Sequence, residues 1–330
     1  MLDAKPIPEQ GQEEAVTITR EQVKTFDTYY KQGLRTVPVE VGQIWTESDL
    51  IKTMLLASSN NHADLLAVWA FGSVEKYLTA ANEWLQENGM PDTHVADATG
   101  ISEESVGTAS DLGLLSVLAY DQPLISDLAG VDSITVTPGD TVYSVSQFLP
   151  EQGLAPIALS YTDVAGLTML YRATVEVDGG TAELRGVMLA MPDWTTLEKS
   201  VKRLLKSARQ NISLTTIVEK GESFARWVSA WDQQADLITT EGVSALMWKA
   251  DPAVYNLYFD DPSPALAGAK VGTVLVETED GSQELALVLS DSISDPGLGW
   301  RLLHPFEMVP ALITSWQQSS AEPSESPATD

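Results

Sequence analysis

Between Thr46 and Phe71 the hydrophobic positions fall into two helical stripes separated by a short polar knot. Leu50, Ile51, Met54 and Leu55 recur at helical spacing, and Leu65, Leu66, Trp69 and Ala70 repeat the pattern beyond the knot. Thr46-Glu47-Ser48-Asp49 reads as a capping box, with Thr46 at the N-cap and Asp49 reaching back. The knot itself is Ser58-Ser59-Asn60-Asn61-His62. Polar residues between two buried helices need hydrogen-bond partners or a place in a cleft. Spacing alone does not separate a helix-helix turn from a site.

The same patterning predicts the rest of the chain. Val16–Thr19 reads as a short strand, and Glu21–Gln32 as a helix with Val23, Phe26 and Tyr30 on one side. Ser73 caps a helix containing Tyr77, Leu78, Ala81, Trp84 and Leu85, which Asn88-Gly89 ends. Thr108-Ala109-Ser110-Asp111 is a second capping box, opening a helix through Leu112, Leu115 and Leu118. Ile134–Tyr143 alternates around a Pro-Gly turn, a hairpin pattern. Leu167–Val177 and Glu183–Met191 are apolar strands around Asp178-Gly179-Gly180. Thr195-Thr196-Leu197-Glu198 opens a last long helix, with Val201, Leu204, Leu205 and Ala208 on its buried stripe.

From about Ile212 only short strands are predicted: 215–218, 224–229, 236–239, 245–248 and 255–259. The clearest pair is Val271–Glu277, joined through Glu279-Asp280-Gly281 to Glu284–Leu289, where Leu285, Leu287 and Leu289 alternate with smaller residues. The expected organisation is an α/β domain over 1–212, a small all-β domain over 213–310 and a disordered tail over 311–330, rich in Ser, Glu and Pro from 316.

Composition narrows the function. A chain of 330 residues accommodates two cores, and 44% hydrophobic content is ordinary for a globular protein. A formal net charge of −28 argues against nucleic acid and against anionic membrane surfaces as partners. There is no cysteine, so thiol chemistry, disulfides and Cys-ligated metals are unavailable. His62, His94 and His304 lie far apart, and His62-Ala63-Asp64 is too short to specify a metal site, so neither metal nor cofactor is expected. No apolar run approaches the roughly 20 residues a spanning helix needs. Residues 1–10 have neither a basic nor an apolar signal-peptide region, so no signal peptide is expected in this stretch.

Leu55-Leu56-Ala57-Ser58-Ser59-Asn60-Asn61-His62-Ala63-Asp64, followed by Trp69-Ala70-Phe71-Gly72-Ser73, resembles the Ser-x-Asn region of serine D-alanyl-D-alanine carboxypeptidases, the low-molecular-mass penicillin-binding proteins of peptidase family S11. Asn88–His94 and Asp97-Ala98-Thr99-Gly100-Ile101-Ser102 resemble that family's next segment. The resemblance implies a β-lactamase/transpeptidase-like α/β domain followed by a small β domain. It also implies a role in peptidoglycan metabolism in the cell envelope, with a stem peptide or a cell-wall protein as partner.

The family's chemistry needs three constellations. A Ser-x-x-Lys pair supplies the nucleophile and its base, a Ser-x-Asn relays a proton, and a Lys-Thr-Gly strand holds the substrate's terminal carboxylate. By resemblance Ser58 is the relay serine and Asn60 its partner, while Asn61 stands where Asp is frequent. The single Ser-x-x-Lys of the chain, Ser73-Val74-Glu75-Lys76, follows the Ser-x-Asn match instead of preceding it, and Ser73 reads as a helix cap. Tyr161-Thr162-Asp163-Val164-Ala165-Gly166 resembles the segment after Lys-Thr-Gly, but the triplet before it is Ala158-Leu159-Ser160. Ser160 and Thr162 are the candidate substrate-binding residues. Lys270-Val271-Gly272 is the nearest imitation elsewhere and reads as structural.

Magnitudes bear on activity. Loss of a catalytic serine costs about six orders of magnitude in turnover, whereas loss of a charge-assisted contact costs roughly 1.5–3 kcal/mol. The chain is therefore expected to be catalytically inactive. Two compatible readings explain it: a family chain that begins after its nucleophile helix, and a non-catalytic relative that binds peptidoglycan peptides or a cell-wall partner; a third is a purely structural or interaction protein that has kept only the fold. The changed triplet supports the second independently. The first also predicts an apolar groove beside Ser58.

Overall fold

The computed structural model describes residues 1–7, 14–145, 153–249, 252–259, 264–278 and 281–304, with the backbone of 312–315. It divides into two compact units, one of Met1–Glu176 with Thr181–Arg209, the other of Val177–Gly180 with Gln210–Asp330.

In the first unit, β1 (Ala15–Thr17) pairs antiparallel with β2 (Ile44–Thr46) across α1 (Arg20–Lys31). The helices α2 (Glu47–Ala57), α3 (Asn60–Phe71), α4 (Val74–Glu87), α5 (Ala109–Tyr120) and α6 (Pro123–Leu128) follow. A small hairpin, β3 (Ser133–Thr135) with β4 (Thr141–Tyr143), precedes the sheet β5 (Leu154–Thr162), β6 (Gly166–Val177) and β7 (Gly180–Met191), ordered β5-β6-β7. The helix α7 (Trp194–Asn211) comes last.

The apolar stripes become the core. Leu50, Ile51 and Leu56 of α2 and Leu65 and Leu66 of α3 pack with Ile18, Trp45, Val136 and Val142. Each such side chain contributes about 1.5–3 kcal/mol on full burial. Caps define the helix starts. Thr46 Oγ1 accepts from the Asp49 N–H at 3.1 Å and Thr108 Oγ1 from the Asp111 N–H at 3.1 Å. Neither aspartate reaches back to its cap, which corrects the capping-box reading of both. Asp49 instead accepts from the Thr137 N–H and hydroxyl, and Asp111 from the Asp92 N–H and the Thr93 hydroxyl. The reciprocal box is at Thr19–Gln22, which opens α1.

Tyr30, though exposed, stacks on Phe26 on the same side of α1 with ring centroids 5.7 Å apart. One surface detail differs from the pattern. On α7 the buried stripe is Leu197, Val201, Leu205 and Ala208, while Leu204 is 49% exposed. Leu204 lies one helical position, about 100°, from Leu205 and so outside the narrow buried stripe. Asp193, one residue ahead of α7, accepts from the Thr196 N–H at 2.7 Å.

The second unit contains β8 (Ile212–Val218), β9 (Ser223–Val228), β10 (Gln234–Thr239), β11 (Val243–Trp248), β12 (Val254–Phe259), β13 (Lys270–Thr278) and β14 (Gly281–Leu289). The short helix α8 (Gly297–Leu303) and strand β15 (Leu312–Ser315) follow. A six-stranded sheet runs β12-β13-β14-β10-β9-β15, and β8 pairs separately with β11. Leu285, Leu287 and Leu289 are all buried, each inside the unit's apolar clusters. The strand-only reading of this region lacked α8, whose Trp300 meets the Trp231 ring at 5.8 Å. Residues 312–315, placed in the tail by the sequence pattern, pair with β9. The remainder expected as tail, 316–330, lies outside the described residues, as do turn residues 279 and 280.

Candidate functional site

Strand β5 and the α2–α3 junction border a cavity of about 720 Å³, within the range typical of ligand sites. Ser58, Asn60, Ser160 and Thr162, drawn from stretches far apart in sequence, all line it. Arg35, the 98–103 loop and Ser105 complete much of the wall. Apolar side chains including Met54, Leu55, Ile157 and Leu170 share the lining, so the groove is mixed and not purely apolar.

The junction is built on one residue of unusual backbone. Ser58 ends α2 in the left-handed region, φ 52° and ψ 43°, and its N–H donates to the Met54 carbonyl. Glycine normally occupies such positions, and a serine there stores local strain of the kind found at functional sites. The turn aims the Ser58 hydroxyl at strand β5, where Oγ donates to the Leu159 carbonyl at 3.3 Å.

Ser59 is the N-cap of α3 but makes no side-chain cap bond. Its hydroxyl enters a buried network instead. Ser59 Oγ donates to Asn61 Oδ1 at 2.8 Å and lies 2.8 Å from His62 Nδ1. Having one proton, already given to Asn61, Ser59 leaves His62 Nδ1 as the protonated ring nitrogen. His62 Nε2 is then bare, and it is buried without a partner among the described residues. The opposite tautomer would bury an unpaired N–H donor, the costlier choice. Trp45 meets the His62 ring at 5.0 Å in a T-shaped contact. Burial pushes the imidazole down from 6.5 to about 4, so it is neutral at pH 7. His62 is thus a packed hydrogen-bonding residue.

Asn61 substitutes for a strand partner. Its Oδ1 accepts from the Val37 N–H at 3.2 Å and its Nδ2 donates to the Val37 carbonyl at 3.0 Å. A carboxylate could accept the first bond but not donate the second. Asn60 clamps the neighbouring residue: its N–H at 3.0 Å and its Nδ2 at 2.9 Å both donate to the Arg35 carbonyl.

Across the cavity, β5 pairs with β6 so that Ser160 faces Thr168 and Thr162 faces Gly166. Thr162 Oγ1 accepts from the Ala165 N–H at 2.9 Å, holding the β5–β6 turn. Gly166 is required there, with φ 67° and a hypothetical Cβ only 2.8 Å from the Met191 carbonyl oxygen.

The 98–105 loop is organised by Asp97. Its carboxylate accepts from Thr99 Oγ1 and from the N–H groups of Gly100, Ile101 and Ser102, all at 2.8–2.9 Å, and from Ser105 Oγ at 3.3 Å. Burial works against its ionisation, but the hydrogen bonds outweigh burial and hold it below the ordinary carboxylate value. Nearby, Tyr29 donates to Asp64 at 2.6 Å; burial, then this bond, raises the phenol, and burial raises Asp64.

Sequence reasoning did not single out Arg35 or Asp97. The Asp-x-Thr-Gly run carries a turn signal that would have flagged Asp97. Nothing in the sequence flags Arg35, whose place depends on β5.

The remaining sequence candidates fall elsewhere. Ser73 is the N-cap of α4, accepting from the Lys76 N–H at 3.2 Å. Gly272 of Lys270-Val271-Gly272 lets β13 approach β12, since a Cβ there would sit 2.5 Å from the Tyr258 carbonyl oxygen. Among the described residues no group of His, Cys, Asp and Glu could hold a metal, and no helix is long and apolar enough to cross a membrane.

Comparison with known proteins places this geometry. The sequence profile of a family described as D-alanyl-D-alanine carboxypeptidase matches residues 2–175. The D-alanyl-D-alanine endopeptidase of Escherichia coli (strain K12) is 28% identical over 100 residues, which is 30% of this chain and 32% of that protein. The match thus spans about a third of the curated relative's length. Among solved structures, penicillin binding protein 6B from Escherichia coli superposes with a TM-score of 0.59 at 18% identity, covering 84% of this chain and 79% of that one. A peptidoglycan synthesis regulatory factor (PBP3) from Streptococcus pneumoniae gives 0.58 at 18% identity, covering 88% of each. These likenesses show the fold: the mixed helix-and-sheet domain of penicillin-binding proteins with a sheet-rich C-terminal region.

Proposed function

The chain belongs to the D-alanyl-D-alanine carboxypeptidase family of cell-wall peptidases, and from that premise we propose that its cavity is a binding site for the D-alanyl-D-alanine end of a peptidoglycan stem peptide. The observation that carries the reading is convergence. Ser58 and Asn60 from the α2–α3 junction and Ser160 and Thr162 from β5 line one cavity of ligand size. In this reading Ser58 and Asn60 stand at the positions of the family's proton-relay serine and its partner and, with Ser160 and Thr162, contact the bound peptide. The location that follows from the family is the cell envelope.

In the form described by this sequence the protein binds the peptide without being acylated by it. Acylation needs a serine activated by an adjacent base. No lysine lines the cavity among the described residues, and Asn60 is no base. Ser73 serves a helix start, which supports a structural role for the single Ser-x-x-Lys. Domain roles follow the same reading, with 1–212 as the peptidase-type domain and 213–310 as the appended sheet domain.

Intact-protein mass after incubation with a labelled penicillin tests the reading, alongside titration with an acetylated tripeptide ending in D-Ala-D-Ala. The expected result is no covalent adduct and reversible peptide binding that Asn60→Ala weakens. A stable adduct lost in Ser58→Ala would make Ser58 a nucleophile and overturn the non-catalytic reading. No peptide binding would overturn the assignment of the cavity.

A further inference from the structure

One cationic side chain, Arg35, lines the cavity among the described residues, against two acidic ones, Glu103 and Asp163. Strand β5 contributes no cation where it passes, presenting Ala158, Leu159 and Ser160. Yet a peptide carboxylate brought out of water needs a charge-assisted donor. Ser160 and Thr162 are neutral, and the Thr162 hydroxyl, which accepts a bond in the β5–β6 turn, can offer a carboxylate only an uncharged O–H.

Arg35 is placed for that task by two independent anchors. Its carbonyl is held by both the N–H and the side-chain amide of Asn60, at 3.0 and 2.9 Å. Its guanidinium reaches β5, where Nη1 donates to the Leu159 carbonyl at 3.0 Å. The Ser58 hydroxyl donates to the same carbonyl at 3.3 Å, so Arg35 and Ser58 meet at one point of the strand, one residue before Ser160. A guanidinium carries five N–H donors in a planar fork, and the bond to Leu159 leaves most of them to face a ligand.

We propose that Arg35 is the carboxylate-recognising residue of this cavity, pairing with the C-terminal carboxylate of a peptide that lies against β5. The inference rests on the reading of the cavity as a stem-peptide site and adds the residue that sets its preference for a free C-terminus. Charge recognition is thereby supplied from the segment ahead of α2, not from β5. A guanidinium takes the two carboxylate oxygens as a fork, so lysine at this position reproduces the charge but not the geometry.

Calorimetric titration of the whole chain with two ligands tests this: an acetylated tripeptide ending in D-Ala-D-Ala as the free acid, and the same peptide as its C-terminal amide. The wild type is expected to bind the acid ~10- to 100-fold more tightly than the amide. Arg35→Ala should bind both as weakly as the wild type binds the amide, and Arg35→Lys should fall between. Arg35 is exposed and its backbone carbonyl keeps the Asn60 clamp in either variant, so the fold should persist, with unchanged melting as the control. An undiminished acid preference in Arg35→Ala would overturn the inference, leaving Arg35 only to cover the Leu159 carbonyl while the peptide site stands. Absence of binding of either peptide to the wild type would overturn the peptide site, and the inference with it.

Discussion

Acidification should destabilise the first unit through His62 before most carboxylates titrate. In the unfolded chain the ring takes a proton near 6.5, whereas in the folded chain burial delays protonation to about 4. Between these values the unfolded state binds more protons, so stability falls as pH falls through the window and is unaffected by this residue above it. The full difference is on the order of 3 kcal/mol, of which about 2.5 kcal/mol is lost by pH 4.5. That share is large against the ~5–15 kcal/mol that holds a typical domain. The ring cannot escape the penalty by finding an anion, since its Nδ1 is committed to Ser59 and its Nε2 is sealed beside Trp45. Two measurements check this. An NMR titration should place the His62 ring well below the ordinary imidazole value of 6.5. Urea unfolding at pH 7 and pH 4.5, followed by tryptophan fluorescence, should show a smaller pH decrement in His62→Gln than in the wild type by ~2.5 kcal/mol. Equal decrements, or a His62 ring that titrates near 6.5 in the folded protein, would refute the reasoning.

Other substitutions test other parts of the site and core. Asn61→Asp should cost ~1–3 kcal/mol by thermal or urea unfolding, because the buried amide loses its bond to the Val37 carbonyl and gains a charge in a desolvated place. Asp97→Asn should speed amide hydrogen exchange at Gly100, Ile101 and Ser102 by roughly tenfold. The wild-type contribution, from a carboxyl held below its usual value, should persist above about pH 4 and vanish as pH falls through the folded value. On α7, Leu205→Ala should cost about 2–5 kcal/mol and Leu204→Ala less than ~0.5 kcal/mol, since the first side chain is fully buried and the second half exposed. Ser73→Ala should lose ~1 kcal/mol through its helix cap and leave peptide binding unchanged.

What the sequence determined by itself is what neighbouring residues decide. The stripes of α2, α3 and α7, the caps at Thr46, Ser73 and Thr108, the turn at Asn88-Gly89 and the alternation of Leu285, Leu287 and Leu289 depend on local geometry within a turn or two. They were legible for that reason, and the Ser58–Asp64 run carried the family with them. The limits were equally local. Asp49 and Asp111 have the right spacing to reach back to their caps, but tertiary packing brings Thr137 and Thr93 within reach, and those partners win. Leu204 and Leu205 are chemically identical, and only the side of α7 that the fold buries separates them.

The site itself was decided in three dimensions. Ser58 and Ser160 could each be named from a motif, but their convergence on one cavity depends on β5 passing the α2–α3 junction. Arg35 belongs to no motif. Its place in the cavity arises because Asn60 fixes its backbone and the Leu159 carbonyl lies one side-chain length away, contacts separated by 25 and 124 residues of chain. Periodicity reports which face of an element is buried. Which elements then meet is set by how the whole set of buried faces packs, and that information is spread over the chain and not written at any one position.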